Sequence, residues 1–110
     1  MVIEEIENEF GRRGLKIRSE DLGERSLYRR KVRFDQDVQW REEIAALGKI
    51  AENAELPVGE RAAASIKIVT TVLDGLTDAE LNACDSNDVL QLMGAVHSIL
   101  SNPETPKKKA

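Results

Sequence analysis

The stretch from residue 76 to residue 100, LTDAELNACDSNDVLQLMGAVHSIL, constrains the fold more than any other part of the chain. Thr77 and Glu80 have the T-x-x-E spacing of a capping box, which predicts that a short helix begins there. Asp85 is placed to cap a second helix. In that second helix two apolar lines overlap: Val89, Leu92, Val96 and Leu100 form one, and Leu90, Met93, His97 and Leu100 form the other. A surface helix of a small domain needs one apolar stripe, so the surplus predicts contact with a second helix or with a partner chain.

Two more helices are predicted before this stretch. The first covers about residues 36–52, with Asp35 or Asp37 as its N-cap. Its apolar residues recur at steps of three or four: Trp40, Ile44, Leu47 and Ile50. The second covers about residues 59–74, with Pro57 in its first turn and Gly75 as its C-terminal cap residue. Its stripe consists of Ala62, Ile66, Val69 and Leu73.

The N-terminal third has a weaker pattern. VIEEIENEF places Val2, Ile3, Ile6 and Phe10 at helical spacing, which predicts a short amphipathic helix that ends near Gly11 or Gly14. Residues 15–34 alternate partly between polar and apolar, with EDLGE as a turn, which is typical of a short β-hairpin. A single hairpin is marginally stable unless it packs on something, so a disordered segment is the alternative.

Length and composition fit one small domain. The 110 residues include only four aromatic residues, so the core must be aliphatic and rich in alanine. This composition favours packed helices over a β-sandwich. We therefore expect a mainly α fold, a helical domain of four to five helices over residues 1–102 with a short N-terminal β-hairpin at about residues 15–34.

The chain has no run that approaches the ~18 apolar residues of a membrane span. Its first ten residues are acidic and lack the layout of a secretory signal. A single cysteine, Cys84, cannot form an internal disulfide, which agrees with a reducing compartment. We therefore expect a cytoplasmic protein without a membrane partner.

Catalytic and metal sites have little support in the sequence. Cys84 and His97 are the only cysteine and histidine, and zinc sites need three or four protein ligands. We interpret Cys84 as a small packing residue and His97 as a residue at the rim of an apolar helix. The sequence predicts no enzyme activity, no metal and no cofactor.

A basic segment occupies residues 11–34, with nine bases against three acids. It could contact phosphates or an acidic partner through Arg12, Arg13, Arg29, Arg30, Lys31 and Arg33. The acids in RSEDLGER interrupt it, and few aromatic residues are present to stack on bases. A solvated hairpin, or a face that docks on an acidic protein, is therefore the preferred interpretation, and a small nucleic-acid-binding regulator is the alternative.

The apolar surplus of the last helix indicates a partner surface. We predict that this surface is a groove or dimer face that accepts another helix. The predicted partner-binding residues are Val89, Leu92, Met93, Val96 and Leu100.

The order VLDGL, then TDAEL, then NACDSNDVLQLMGAVHSIL resembles the C-terminal part of the short tail assembly chaperones of long-tailed bacteriophages. KVRFDQDVQWREEIAALGKI is similar to that family's step from a basic strand into its first helix, so the resemblance covers about residues 31–102. It departs at Cys84, where the family has an apolar residue, and at Ile99, where an aromatic residue is common. The matching positions are Leu76, Glu80, Leu81, Asp85, Asp88, Val96 and Leu100.

The resemblance implies a non-enzymatic binding function and transfers no individual site residue. Such chaperones coat the long helical tape measure protein and keep it soluble until tail tube subunits polymerise around it. It therefore implies the tape measure protein as a partner, with the tail tube protein as a second one, in the cytoplasm of a bacterial host. We expect several copies to act together, because avidity strengthens binding by small surfaces, and a homo-oligomer is a further expectation.

The end of the chain, SNPETPKKKA, has no means of burying itself, so we expect residues 103–110 to be a disordered basic tail. The resemblance also implies a longer form, made when ribosomes slip backwards near the end of the short reading frame. Lysine codons readily supply the repeated bases that slippage needs. The alternative is a charged end that helps solubility, and the nucleotide sequence distinguishes the two.

Overall fold

The structure, a computed structural model, describes residues 1–101, and the predicted tail at residues 103–110 lies outside them. An antiparallel sheet comes first, in the order β1 (Val2–Glu7), β2 (Arg13–Ser19) and β3 (Gly23–Tyr28). A 3-10 turn at Phe34–Gln36 leads into four helices. These are α1 (Asp37–Glu52), α2 (Val58–Val72), α3 (Asp78–Asn82) and α4 (Ser86–Ser101). The mainly helical character is confirmed, and the predicted hairpin is part of a larger sheet.

The predicted N-terminal helix is wrong, because Val2–Glu7 is a β-strand. It pairs with β2 so that Ile3 lies opposite Ile17 and Ile6 opposite Gly14. The segment is far shorter than the ~12–15 residues that an isolated helix needs. Its β-branched residues suit a strand, and the edge of β2 supplies hydrogen-bond partners. Tertiary pairing therefore overrides the helical spacing.

A hairpin is confirmed, with its turn between Ser19 and Gly23, but its second strand ends at Tyr28, so residues 29–34 lie outside it. On one face of the sheet the side chains of Leu15, Ile17 and Leu27 are buried. These residues belong to one core cluster with the α4 side chains Leu92, Val96 and Ile99. The sheet is therefore anchored on α4, and the disordered alternative does not describe this segment.

Gly14 is required by close packing on the opposite face of the sheet. It lies across from Tyr28, and a Cβ atom at Gly14 would sit 2.5 Å from the Leu27 carbonyl oxygen and 2.6 Å from Tyr28 Cδ1. We expect Gly14→Ala to lower the free energy of unfolding by about 1–3 kcal/mol, because the backbone must move to relieve the overlap. Urea denaturation measures this, with Gly59→Ala as control, since a Cβ at Gly59 meets nothing within 4 Å. Equal effects of the two substitutions would contradict the packing argument.

The bounds of α1 and α2 agree closely with the predicted helices, but their N-termini differ. Neither Asp35 nor Asp37 caps α1: a 3-10 turn precedes it, and its N-cap Gln36 makes no side-chain capping bond. The Asp37 carboxylate instead accepts a 2.8 Å hydrogen bond from Arg41 Nε. Pro57 is the N-cap of α2 and does not lie in its first turn.

Both predicted caps of the C-terminal stretch are confirmed. Thr77 accepts a hydrogen bond from the Glu80 backbone, and the Glu80 side chain accepts one from the Thr77 backbone, so the capping box of α3 is complete. At the start of α4, Asp85 Oδ2 accepts a 3.1 Å hydrogen bond from the Asn87 backbone. The two short-range signals fix where α3 and α4 begin.

Helix α2 holds the helical layer together. It packs on α1, α3 and α4, and its inner side chains Val69 and Val72 are fully buried. The molecule measures 49 × 34 × 18 Å, and its smallest dimension leaves room for about two layers of secondary structure. Among the described elements, none covers the side of α2 between α1 and α4. Within residues 1–101, no helix is both long and apolar enough to cross a membrane.

Candidate functional site

An open groove runs between α1 and α4, with α2 as its floor, and we call it the α1–α2–α4 groove. Its volume is about 590 Å³, and most of the lining is apolar. Helix α1 and helix α2 supply Ile44, Gly48, Ala51, Glu52, Ser65, Ile68 and Val69. Helix α4 supplies Leu90, Met93, Gly94, Val96, His97 and Leu100.

The groove exists because the apolar surface of these helices exceeds what the fold buries. Val69 of the α2 floor and Val96 at the base of the α4 wall are fully buried, while Met93 and Leu100 on the same wall are half-buried. Leu90 stands at the lip with 62% of its surface exposed. Contiguous exposed apolar surface on a small protein marks an interaction site more often than scattered exposed residues do.

The structure divides the predicted partner-binding residues between the groove and the core. Met93 and Leu100 line the groove and are accessible. Leu92 is 0% exposed and Val96 is 1% exposed, so both are core residues that offer a partner almost no surface to contact. Val89 packs against the core and lies outside the groove. The sequence interpretation missed Leu90 and the whole contribution of α1 and α2, although Leu90 belongs to the second apolar line of α4.

The groove is almost free of charge. Of the lining residues within 1–101, Glu52 alone is charged, and between Ser86 and Ser101 helix α4 carries Asp88 and no other Asp, Glu, Lys or Arg. The other polar side chains of the lining are those of Ser65 and His97, and His97 is exposed. A depletion of charge at the centre of a surface patch is typical of protein–protein interfaces.

Cys84 is half-buried and packs against the core at the end of α3. Its Sγ donates a hydrogen bond to the Glu80 carbonyl oxygen over 3.2 Å. Burial raises the pKa of the Cys84 thiol, and the neighbouring carboxylates of Asp21 and Asp88 raise it further. A thiol with a raised pKa is a weak nucleophile at neutral pH. Among residues 1–101, no three His, Cys, Asp or Glu side chains come together in a way that could hold a metal ion.

Several of the predicted bases are neighbours in the fold: Arg12 and Arg13 lie beside Arg29, whose backbone N–H donates a 2.9 Å hydrogen bond to the Arg13 carbonyl oxygen. Arg30 donates a 3.0 Å hydrogen bond to the Thr70 carbonyl oxygen and pairs with Asp74. Arg29 lies over the Trp40 ring, 5.1 Å from its centroid, in a cation–π contact. Three other bases that were predicted to contact a partner make contacts within the chain. Arg12 donates to the Arg29 carbonyl oxygen, Arg13 pairs with Glu5, and Arg33 pairs with Asp35. Arg29 and Arg30 therefore connect the end of the sheet with α1 and α2, and Lys31 is exposed.

Arg25 joins the sheet to α3. Its Nη2 lies 2.6 Å from Glu80 Oε2, and its Nε donates to the Leu22 carbonyl oxygen. The Arg25 guanidinium, followed by the hydrogen bond from the Thr77 backbone, lowers the pKa of the Glu80 carboxyl below its ordinary value. A carboxyl with a lowered pKa in the folded state stabilises the fold above its unfolded pKa of about 4.3, and this contribution is lost as the pH falls through the folded value.

We therefore expect a pH-dependent gap in stability between the wild type and Glu80→Gln. The oxygen of glutamine can keep the capping box with the Thr77 backbone, so the substitution removes the charge and the bond to Arg25. The wild type should be more stable by a constant amount above about pH 5, and the gap should close as the pH falls below about 4. Urea denaturation at a series of pH values measures it. A gap of the same size at every pH would show that the Arg25–Glu80 charge pair does not contribute.

No known protein family, curated protein or solved structure matches this chain. Its function is therefore inferred from the residues and the groove.

Proposed function

We propose that the protein is a non-enzymatic assembly chaperone or adaptor that holds an apolar helix of another protein in the α1–α2–α4 groove. The observation that carries this proposal is the groove itself, an open recess of about 590 Å³ whose apolar walls nothing in residues 1–101 covers. Recognition of an amphipathic helix in an apolar groove is a recurrent mode of protein binding.

The dimensions of the groove suit a helix. The two flanking helices, α1 and α4, each have 16 residues, which corresponds to a length of about 24 Å at ~1.5 Å per residue. Packed helices lie about 8–10 Å apart, so a helix set between α1 and α4 would touch both walls and rest on α2. The lining covers residues 44–52 of α1 and 90–100 of α4, a length of about 12–17 Å, so two to three turns of the partner would be in contact with the protein.

The resemblance to phage tail assembly chaperones names a specific partner for this groove. A tape measure protein is a long helix that must stay soluble before assembly, and tail tube subunits later replace the proteins that coat it. A chain with a net charge of −4 would add negative charge along such a complex and keep it in solution. Many copies bound along one helix would supply the avidity that one short groove lacks.

A salt series tests the proposal against nucleic-acid binding. A fluorescent amphipathic peptide of about six helical turns and a fluorescent DNA duplex are titrated separately with the full chain. We expect the peptide to bind with an affinity that changes little between about 50 and about 500 mM salt, because apolar burial drives the contact. Binding of the duplex alone, with an affinity that falls steeply with salt, would overturn the proposal in favour of the nucleic-acid alternative.

A second arm uses the tape measure protein directly. Where a tape measure protein is encoded beside this chain, co-expression of the two should increase the soluble fraction of the tape measure protein. The Leu90→Asp variant serves as the matched control, because it places a charge at the lip of the groove. Equal solubility with the wild type and the variant would show that the groove does not hold the tape measure protein.

A further inference from the structure

Two glycines face the α1–α2–α4 groove from opposite walls. Gly48 lies inside α1 and Gly94 inside α4, and both line the groove. A Cβ atom at either position would meet nothing within 4 Å, and neither glycine has a positive φ. Glycine inside a helix is destabilising relative to alanine, because it loses more backbone entropy on folding. Nothing within the folded residues 1–101 therefore requires a glycine at these positions.

A glycine that has no packing role within the fold leaves its helix without a side chain at that point, so the helix surface there lies closer to the helix axis. Two such positions on facing walls allow the backbone of a third helix to come closer than larger side chains would permit, since the distance between packed helices depends on the side chains at the contact. The same walls also carry larger apolar residues, Ile44, Met93 and Leu100. These can pack against larger side chains of the third helix on either side of the close contact.

The charge of the groove constrains its occupant further. Glu52 is exposed, it is the one charged residue among the described residues that line the groove, and it forms no ion pair with another of them. An occupant that carries a base opposite Glu52 would compensate this carboxylate when water leaves the groove. A second copy of the chain that inserted its own α4 would bring no base, because α4 contains neither lysine nor arginine.

We infer that the groove takes a helix of a different protein, which crosses Gly48 and Gly94 through small side chains and places a lysine or arginine beside Glu52. This inference rests on the proposed function and states which helices the groove accepts. Alanine, serine and glycine are the residues expected at the crossing. On the partner helix, we expect larger apolar residues one turn before and one turn after this crossing.

Three synthetic peptides of about 20 residues test this, long enough to match the flanking helices. The first has alanines at the crossing and one lysine at the end next to Glu52. The second replaces the crossing alanines with leucines, and the third replaces the lysine with glutamate. Fluorescence anisotropy gives the Kd of each for the full chain. We expect the alanine peptide to bind at least about tenfold more tightly than the leucine peptide, a difference equivalent to ~1.4 kcal/mol.

Substitutions in the protein provide the matching half of the test. Gly94→Leu should weaken the alanine peptide at least about tenfold, while Gly59→Leu, on α2 and outside the groove, should leave its Kd unchanged. Gly94→Ala should raise Tm by ~2–8 °C and still weaken binding, so a loss of affinity cannot come from unfolding. Glu52→Lys should weaken the lysine peptide and restore tight binding of the glutamate peptide.

The outcomes separate this inference from the proposed function. Equal binding of the alanine and leucine peptides, or unchanged binding by Gly94→Leu, overturns the inference but leaves a helix-binding groove. Absence of binding by all three peptides overturns both. Sedimentation of the wild type alone supplies the remaining outcome: a dimer that Gly94→Leu or Leu90→Asp dissociates would assign the groove to a second copy of the chain and overturn the inference.

Discussion

Leu92→Ala is expected to lower the free energy of unfolding by about 3–5 kcal/mol. Leu92 is 0% exposed and belongs to the cluster that joins α4 to the buried face of the sheet. Truncation removes apolar burial and leaves a cavity between layers that can close only in part. Domains of this size have a total stability of about 5–15 kcal/mol, so the variant should lose a large fraction of it. Urea denaturation followed by circular dichroism measures the change.

Leu90→Ala is the matched control, because it makes the same truncation two residues away on the same helix. Leu90 is largely exposed, so we expect its substitution to change stability by less than about 0.5 kcal/mol. A loss in Leu90→Ala as large as that in Leu92→Ala would mean that α4 is rotated relative to the arrangement described above. The placement of Leu92 also explains why an aspartate there would report on folding and not on partner binding.

Leu90→Asp is expected to weaken binding of an apolar helix by at least about 100-fold, which corresponds to ~2.7 kcal/mol. In the empty groove the new carboxylate would sit at the lip in water, since 62% of the Leu90 surface is exposed. An apolar occupant would remove that water without supplying a partner for the charge, and an unpaired buried charge is costly. The measurement is the Kd for the amphipathic peptide, with urea denaturation to show that the fold is retained.

Val58→Asp controls for the added charge. Val58 is a comparably exposed apolar residue at the start of α2, outside the groove, so the variant should bind like the wild type. If Leu90→Asp is folded and still binds the peptide with wild-type affinity, the groove is not the binding site. Weaker binding by both variants to the same extent would point to a general effect of the net charge.

Local signals in the sequence were sufficient for the C-terminal half of the fold. The capping box of Thr77 and Glu80 and the cap at Asp85 form within one helical turn, so they need no information from distant residues. The periodicities of α1 and α2 were also readable, because each helix buries a stripe whose spacing is a property of the helix itself. The turn between β2 and β3 belongs to the same class of short-range features.

The candidate site was only partly readable. The surplus of apolar residues on α4 indicated a partner surface, and Met93 and Leu100 do line the groove. The direction from which α2 and the sheet approach α4 assigns Leu92 and Val96 to the core and Leu90 to the lip. The apolar pattern of α4 alone cannot predict this direction, because either of its two apolar lines could face the core.

By itself, the sequence determined which segments after residue 36 are helical and where α3 and α4 begin, and that the last helix has more apolar surface than one contact can bury. The tertiary structure alone decided that Val2–Glu7 is a strand, since six residues with an ambiguous pattern take the conformation that their neighbour can hydrogen-bond. It also decided that Arg29 and Arg30 hold the sheet to α1 and α2, although their clustering in the sequence had suggested a basic surface. Helix caps and periods act over four residues, whereas strand pairing, burial and ion pairs depend on residues far apart in the chain that only the complete fold brings together.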